Sequence, residues 1–308
     1  MIGTNKAAWG LDGPSLTRRS LLACSAAAVL AGCTAPFDAG NAEDAFPPIG
    51  DFVQTSAGRV HLWRAGPTDP LLAERKPAVL IHGASGNLRD FTFAIAPKIA
   101  ETRPVIAVDR PGFGYTDRPD GTDTPAAQAA MLREAVGEIG VDQPLVLGHS
   151  YGAAVTMAWA LDAPETVSGI IPVSGVTMPY RGMGRVLSAL GLAGIVTWAY
   201  SEYLKSVAND GGIERFLDRV FRPQRPPPGY PAYIGAPLAL RQGTLDANGR
   251  DLEVLNGALI DMAPRYANMS TPAEIIHGAA DFIDPGRQSV ALKTAIPNGR
   301  LTLLPNVG

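Results

Sequence analysis

The stretch Pro144-Leu145-Val146-Leu147-Gly148-His149-Ser150-Tyr151-Gly152, continued by Ala153–Ala163, decides the fold. Pro144–Leu147 is a short apolar run of the kind a strand buried on both faces shows. It enters a Gly-x-Ser-x-Gly turn, and the small apolar residues from Ala153 onward read as a helix. Two glycines allow the strand and helix backbones to pass closely in a sharp turn. Such a turn lifts the Ser150 hydroxyl clear of the sheet edge. The helix N-terminus beneath it offers free N–H groups and a partial positive charge. These are the conditions for a serine nucleophile. The spacing alone also suits a Gly-rich connection in which Ser150 caps a helix. The strand before it and the helix after it favour the nucleophile.

Strands and helices alternate outward from this turn. Upstream, Phe52–Thr55 and Arg59–Arg64 read as two short strands around Ser56-Ala57-Gly58. Pro77–Ile81 and Pro104–Val108 are further buried runs. Asn87–Thr102 and Ala126–Gly140 have helical spacing, the second with Met131, Leu132, Val136 and Ile139 on its apolar positions. Downstream, Ser168–Val173 is a fourth buried strand, and the strand pattern returns at Pro272–Ile276 and Arg300–Leu304. This order implies a mostly parallel α/β sheet flanked by helices, with right-handed crossovers. Between them, 177–270 is Gly-rich, then helical and apolar at Val186–Tyr200, then Pro-rich at Arg222–Pro228. A stretch of that length without clear strands suits an inserted helical cap. The expected core is therefore 49–176 together with 271–308, and the cap is 177–270.

Three segments carry a family resemblance: His82-Gly83-Ala84, Asp109-Arg110-Pro111-Gly112-Phe113-Gly114 and Gly148–Gly152. Each follows a buried run, and over 49–308 the chain resembles an α/β-hydrolase with a serine nucleophile and a cap. The resemblance implies acyl transfer through Ser150, with an oxyanion held by the backbone N–H groups of Ala84 and Tyr151. Gly278-Ala279-Ala280-Asp281-Phe282-Ile283-Asp284-Pro285 resembles the family's acid loop and implies Asp281 as the triad acid, with Asp284 as the competitor. His82 reads as a strand-end residue packed near the oxyanion loop, and His149 is expected to point away from the reaction. The family order places a base histidine after the acid, following a Gly in the last loop. No histidine follows Asp281, and the sequence ends Leu303-Leu304-Pro305-Asn306-Val307-Gly308. The expectation is that the histidine's place falls just beyond Gly308, and that this chain alone has little activity. His277 precedes Asp281 and is a poor surrogate.

The N-terminus reads as an address. Arg18-Arg19 precede an apolar run, Leu21–Leu30, too short to span a bilayer. Thr17-Arg18-Arg19-Ser20-Leu21-Leu22 resembles a twin-arginine export signal, and Leu30-Ala31-Gly32-Cys33 resembles a bacterial lipobox. The resemblance implies a signal peptide over 1–32, a lipid on Cys33, a tether over 33–48 and a place in the bacterial cell envelope. An ordinary cleaved signal is the alternative. The only two cysteines are Cys24 and Cys33, so the rest of the chain has no disulfide framework and no cysteine-based metal site. Four scattered histidines give no metal-ligand spacing, and no cofactor is expected. A net charge of −3 gives no electrostatic reason for nucleic-acid binding. The expected activity is hydrolysis of a small carboxylic ester with an apolar acyl or alkyl group, since the cap holds Met178, Met183, Leu187, Leu190 and Leu192. The same turn serves lipases, amidases, C–C bond hydrolases and perhydrolases. A disabled envelope lipoprotein that binds an apolar ligand is the non-enzymatic alternative.

Overall fold

A computed structural model describes residues 42–180, 199, 202–204 and 211–308. The twin-arginine and lipobox segments, Cys33, and the apolar cap residues Met183–Leu192 lie outside the described residues, as does most of Val186–Tyr200. One eight-stranded sheet organises the rest: β1 (Asp51–Gln54), β2 (Arg59–Ala65), β3 (Ala78–Ile81), β4 (Val105–Val108), β5 (Leu145–His149), β6 (Gly169–Val173), β7 (Ala273–Gly278) and β8 (Gly299–Leu304). The spatial order is β1-β2-β4-β3-β5-β6-β7-β8. β1 and β2 pair antiparallel, as do β2 and β4, and the other neighbours are parallel. A hairpin needs only the short turn at Ser56–Gly58, whereas each parallel neighbour needs a crossover.

The crossovers are α1 (Ile95–Ala100), α2 (Pro125–Glu138), α3 (Tyr151–Asp162) and α8 (Ala291–Ala295). Between β6 and β7 stand α4 (Gly212–Val220), α5 (Tyr230–Tyr233), α6 (Ala236–Ala239) and the long α7 (Gln242–Met262). No helix among the described residues is long and apolar enough to cross a membrane.

The sheet is covered on both faces, as its apolar strands require. On β3, Val79 and Ile81 face one core with α2 and α3, where Met131, Leu132, Val155 and Trp159 are buried. The alternate residues Ala78 and Leu80 face a smaller core with Leu88, Phe91 and Ala96. The period of two along the strand divides them.

The expected single helix over Asn87–Thr102 is two pieces, Arg89–Thr92 and α1, joined at Ala94 with φ −148° and ψ −49°. Pro97 accounts for the break. In a continuous helix its ring would strike the carbonyl of Phe93 and it could not donate to it. Starting a new helix at Ile95 puts Pro97 in a first turn, where a missing N–H costs nothing.

The C-terminal ends of the parallel strands share one edge. There β3 runs into His82, β5 into Ser150, β6 into Ser174 and β7 into the loop carrying Asp281. Ligand sites of open α/β sheets form at this edge.

Candidate active site

Ser150 is the hinge between β5 and α3, and its backbone has φ 53° and ψ −115°. A positive φ is costly for a residue with a Cβ and persists only where the surroundings impose it. Here the Ser150 N–H donates to the Val173 carbonyl (3.0 Å), and its carbonyl accepts from Ala153 (3.1 Å) and Val176 (3.1 Å). The flanking glycines are required by close approach. A Cβ at Gly148 would lie 2.2 Å from the Gly152 carbonyl oxygen, and one at Gly152 would lie 2.2 Å from that of Ile81. The strain makes a prediction. Replacing Ser150 by glycine raises stability by about 1 kcal/mol or more, visible as a higher Tm, while alanine, with the same Cβ, brings no such gain. Equal Tm values for the two variants would contradict a strained nucleophile.

The Gly83-Ala84 loop, the expected oxyanion loop, lies against this turn. A Cβ at Gly83 would be 3.1 Å from the Ser150 Cβ and 3.3 Å from the His149 Nδ1. Gly83, Ala84, Ser150 and Asp281 all line one cavity of about 660 Å³, a size suited to a small organic ligand. Tyr151 is buried as the first residue of α3, where a backbone N–H has no partner within the helix. The geometry thus brings Ser150, Ala84, Tyr151 and Asp281 to one end of the sheet. Burial pushes the Tyr151 phenol up, so it stays protonated.

The acid loop separates its two aspartates. Asp281 faces the cavity; its Oδ1 accepts from the Ile283 N–H (2.8 Å). Asp284 faces solvent, accepting from Gly286 (2.8 Å) and Arg287 (3.2 Å) at the start of the turn Gly286–Val290. His277 braces the loop from inside. Its Nε2 bonds the Ile283 carbonyl (2.9 Å) and lies 3.5 Å from Asp281 Oδ2, while Nδ1 meets the Ser289 hydroxyl (2.6 Å). Both nitrogens are used, so His277 has none left for Ser150. The loop also rests on the end of the chain. Ala279 and Ala280 donate to the carbonyls of Leu304 (2.9 Å) and Val307 (2.8 Å), and Gly308 lines the cavity.

His82 is fully buried. It accepts from the Arg110 N–H at Nε2 (2.9 Å) and bonds the Gly83 carbonyl through Nδ1 (2.8 Å), so it is a neutral brace for the loop. Desolvation, aided by the Arg110 cation, takes its pKa down to about 3. His149 departs from the sequence expectation: it lines the cavity rather than turning away from it. The left-handed Ser150 interrupts the strand's alternation, so residues 149 and 150 are not confined to opposite sides. Desolvation lowers its pKa, with Asp281 opposing and His277 reinforcing that shift. Among the described residues, no histidine nitrogen is hydrogen-bonded to the Ser150 hydroxyl.

Sequence reading missed a buried ionic brace. The Arg110 side chain is wholly inaccessible and donates to Asp251 (2.6 Å), Gln128 (2.9 Å) and the carbonyls of His82 (3.1 Å) and Gly83 (3.1 Å). Its guanidinium carbon lies 4.1 Å from the Phe113 ring centroid and 4.3 Å from that of Tyr151. Asp251 also accepts from Arg118 (2.7 Å) and Gln128 (3.0 Å). The brace therefore ties α7 to the Gly83 carbonyl, which leads into Ala84, and to the Tyr151 ring. One signal was present: Asn248, Asp251, Leu255 and Leu259 have the spacing of one helical face, and polar residues on an apolar stripe call for partners. Among the described residues of the expected cap, Ile213, Phe216, Leu217, Val220 and Phe221 give the cavity apolar lining.

A strained serine turn at the C-terminal edge of a mostly parallel sheet, with the Gly83-Ala84 loop and the Asp281 loop beside it, is the arrangement of an α/β-hydrolase fold. The alpha/beta hydrolase fold family matches residues 76–308, and the chain belongs to it. It is 28% identical over 285 residues to the 2-hydroxymuconate semialdehyde hydrolase of Pseudomonas putida, covering 87% of this chain and 90% of that protein. The 2-hydroxy-6-oxo-6-phenylhexa-2,4-dienoate hydrolase of Rhodococcus sp. strain RHA1 shares the fold, with TM-score 0.64, 19% identity, and 84% and 91% of the two chains covered. So does an esterase of Exiguobacterium antarcticum, with TM-score 0.65, 17% identity, and 84% and 92% covered.

Proposed function

We propose that this hydrolase cleaves a carboxylic ester with an apolar acyl or alkyl group through an acyl-enzyme on Ser150. The observation that carries the reading is the strained Ser150 opening onto a cavity that Ala84 and Asp281 also line. In that mechanism Ser150 Oγ attacks the carbonyl carbon and its proton passes to a base. The N–H groups of Ala84 and Tyr151 hold the oxyanion, and the alcohol leaves with the proton. Water then attacks the acyl-enzyme and releases the acid. Asp281 orients the base and steadies its cationic form. Apolar walls around Phe216, Leu217 and Phe221 support an apolar substrate arm. The Pseudomonas putida relative favours a second reading, cleavage of a C–C bond beside a carbonyl.

A fluorophosphonate probe on the full-length protein tests the nucleophile, with labelling expected at Ser150. No labelling would favour a ligand-binding protein on this scaffold. Comparing p-nitrophenyl butyrate with 2-hydroxymuconate semialdehyde as substrates separates ester from C–C cleavage. The two acid candidates give a sharper contrast. Asp281→Asn is expected to lower kcat by about 10²–10⁴-fold. Asp284→Asn, on the solvent side, should change kcat less than about twofold. The reverse ranking would transfer the acid's role to Asp284.

We also propose that the protein is exported and lipid-anchored at Cys33, on the strength of Arg18-Arg19 and Leu30-Ala31-Gly32-Cys33. Cys33→Ala should move it from the membrane to the soluble envelope fraction. Retention in the membrane would refute the anchor.

A further inference from the structure

We propose that Asp90 and Tyr230 form a polar subsite of the cavity that takes a hydrogen-bond donor, a hydroxyl or an ammonium, carried on the substrate's apolar arm. Asp90 sits on the short helix that follows the oxyanion loop, and it lines the same cavity as Ser150. Tyr230, at the start of α5, donates its hydroxyl to Asp90 Oδ1 (3.3 Å). The tyrosine ring is held edge-on against Phe93 (5.3 Å between centroids) and Phe221 (5.1 Å), so its hydroxyl is fixed in place. Asp90 Oδ2 lies over Gly86, where a Cβ would stand 2.2 Å away; only glycine leaves room for the carboxyl there.

This carboxyl accepts from the Tyr230 hydroxyl and the Asn87 backbone N–H, and its burial in the cavity wall is costly. Among the described residues, no cation contributes to its electrostatic surroundings. It lines a cavity whose walls also include the apolar Ile234 and Leu240. Desolvation raises its pKa to about 7, partly offset by the bonds from Tyr230 and the Asn87 backbone. A carboxylate can accept about four hydrogen bonds, and each bond beyond the two it has here would offset more of its desolvation. A ligand donor would supply such a bond, and an ammonium would add charge. Gly83 touches Ser150 and Gly86 touches Asp90, and three residues of chain span about 10 Å at most. One ligand arm can therefore reach from the reacting carbonyl to this donor position within the same cavity. Its position relative to the ester rests on the ester-hydrolase reading; binding at the subsite does not.

The test uses ligands that cannot be hydrolysed: 4-phenylbutan-1-ol, 4-phenylbutylamine and the methyl ether of the alcohol. Their Kd values are measured by calorimetry on the full-length protein, Asp90→Asn and Asp90→Leu. The wild type should bind the alcohol and the amine about tenfold tighter than the ether, as one bond to an acidic group would give. Asp90→Leu should lose that preference while keeping its affinity for the ether, which shows that the cavity survives. Asp90→Asn should keep the preference for the alcohol and lose it for the amine. Equal wild-type Kd values for alcohol and ether, no binding of any of the three, or a preference that survives in Asp90→Leu would each overturn the subsite. Fluorophosphonate labelling at Ser150 is read separately, so failure of the subsite and failure of the hydrolase reading remain distinguishable.

Discussion

Replacing Ser150 by alanine in the full-length protein is expected to lower kcat for its best ester by at least about 10⁴-fold and to abolish fluorophosphonate labelling. The argument starts from the turn. At Ser150 the sheet edge presents a hydroxyl on a residue of positive φ, held from both sides by backbone hydrogen bonds to Val173, Ala153 and Val176. Alanine keeps the Cβ and hence the backbone strain, so its Tm should stay within about 1 °C of the wild type while turnover falls. A loss of rate with an unchanged fold is what removal of a nucleophile requires. The residual rate should be that of cavity binding and the oxyanion donors alone, which the nucleophile's removal leaves in place. KM should move little, because apolar walls rather than the hydroxyl bind the substrate arm. Retention of more than about a tenth of the wild-type kcat would end Ser150's claim.

Much of the fold was legible because the sheet is buried on both faces. Pro77–Ile81, Pro104–Val108 and Pro144–Leu147 each announce a strand by being apolar without alternation, and each ends in a segment of the resembled family. The Ser150 turn was legible for a related reason: glycines at 148 and 152 are where a side chain would strike backbone. What escaped the sequence depends on distant partners. Asp90 looks like an ordinary surface residue in Leu88-Arg89-Asp90, and only the fold brings Tyr230 to it across 140 positions. His149 was misplaced because an alternation rule was carried through a residue with positive φ. The break at Ala94 was readable in principle from Pro97, but the apolar spacing on either side concealed it. Asp251 lay in plain view on a buried helical stripe, yet its partner Arg110 stands 141 positions away.

That pair underlies the second large effect. Arg110→Met should cost about 3–5 kcal/mol of stability, the usual result of leaving a buried charge without its partner. Asp251 would keep Arg118 and Gln128 but lose its 2.6 Å bond, in a place where its side chain is 1% exposed. The Phe113 and Tyr151 rings would also lose the guanidinium between them, which methionine fills only in part. Catalysis should suffer separately. Arg110 holds the carbonyls of His82 and Gly83, and the peptide planes so fixed lead directly into Ala84. Without those bonds the loop can rotate its N–H away from the oxyanion, at a cost of about 10²–10³ in kcat with KM little changed. The double variant Arg110→Met, Asp251→Leu separates the two consequences. Removing both buried charges should recover part of the lost stability, because an apolar pair can replace a buried ion pair at little cost, while Arg118 and Gln128 lose Asp251 as an acceptor. It should recover none of the lost kcat, because leucine at 251 restores no donor to His82 or Gly83. If the double variant regained rate together with stability, Arg110 would be a structural brace alone and the oxyanion loop would hold its own geometry.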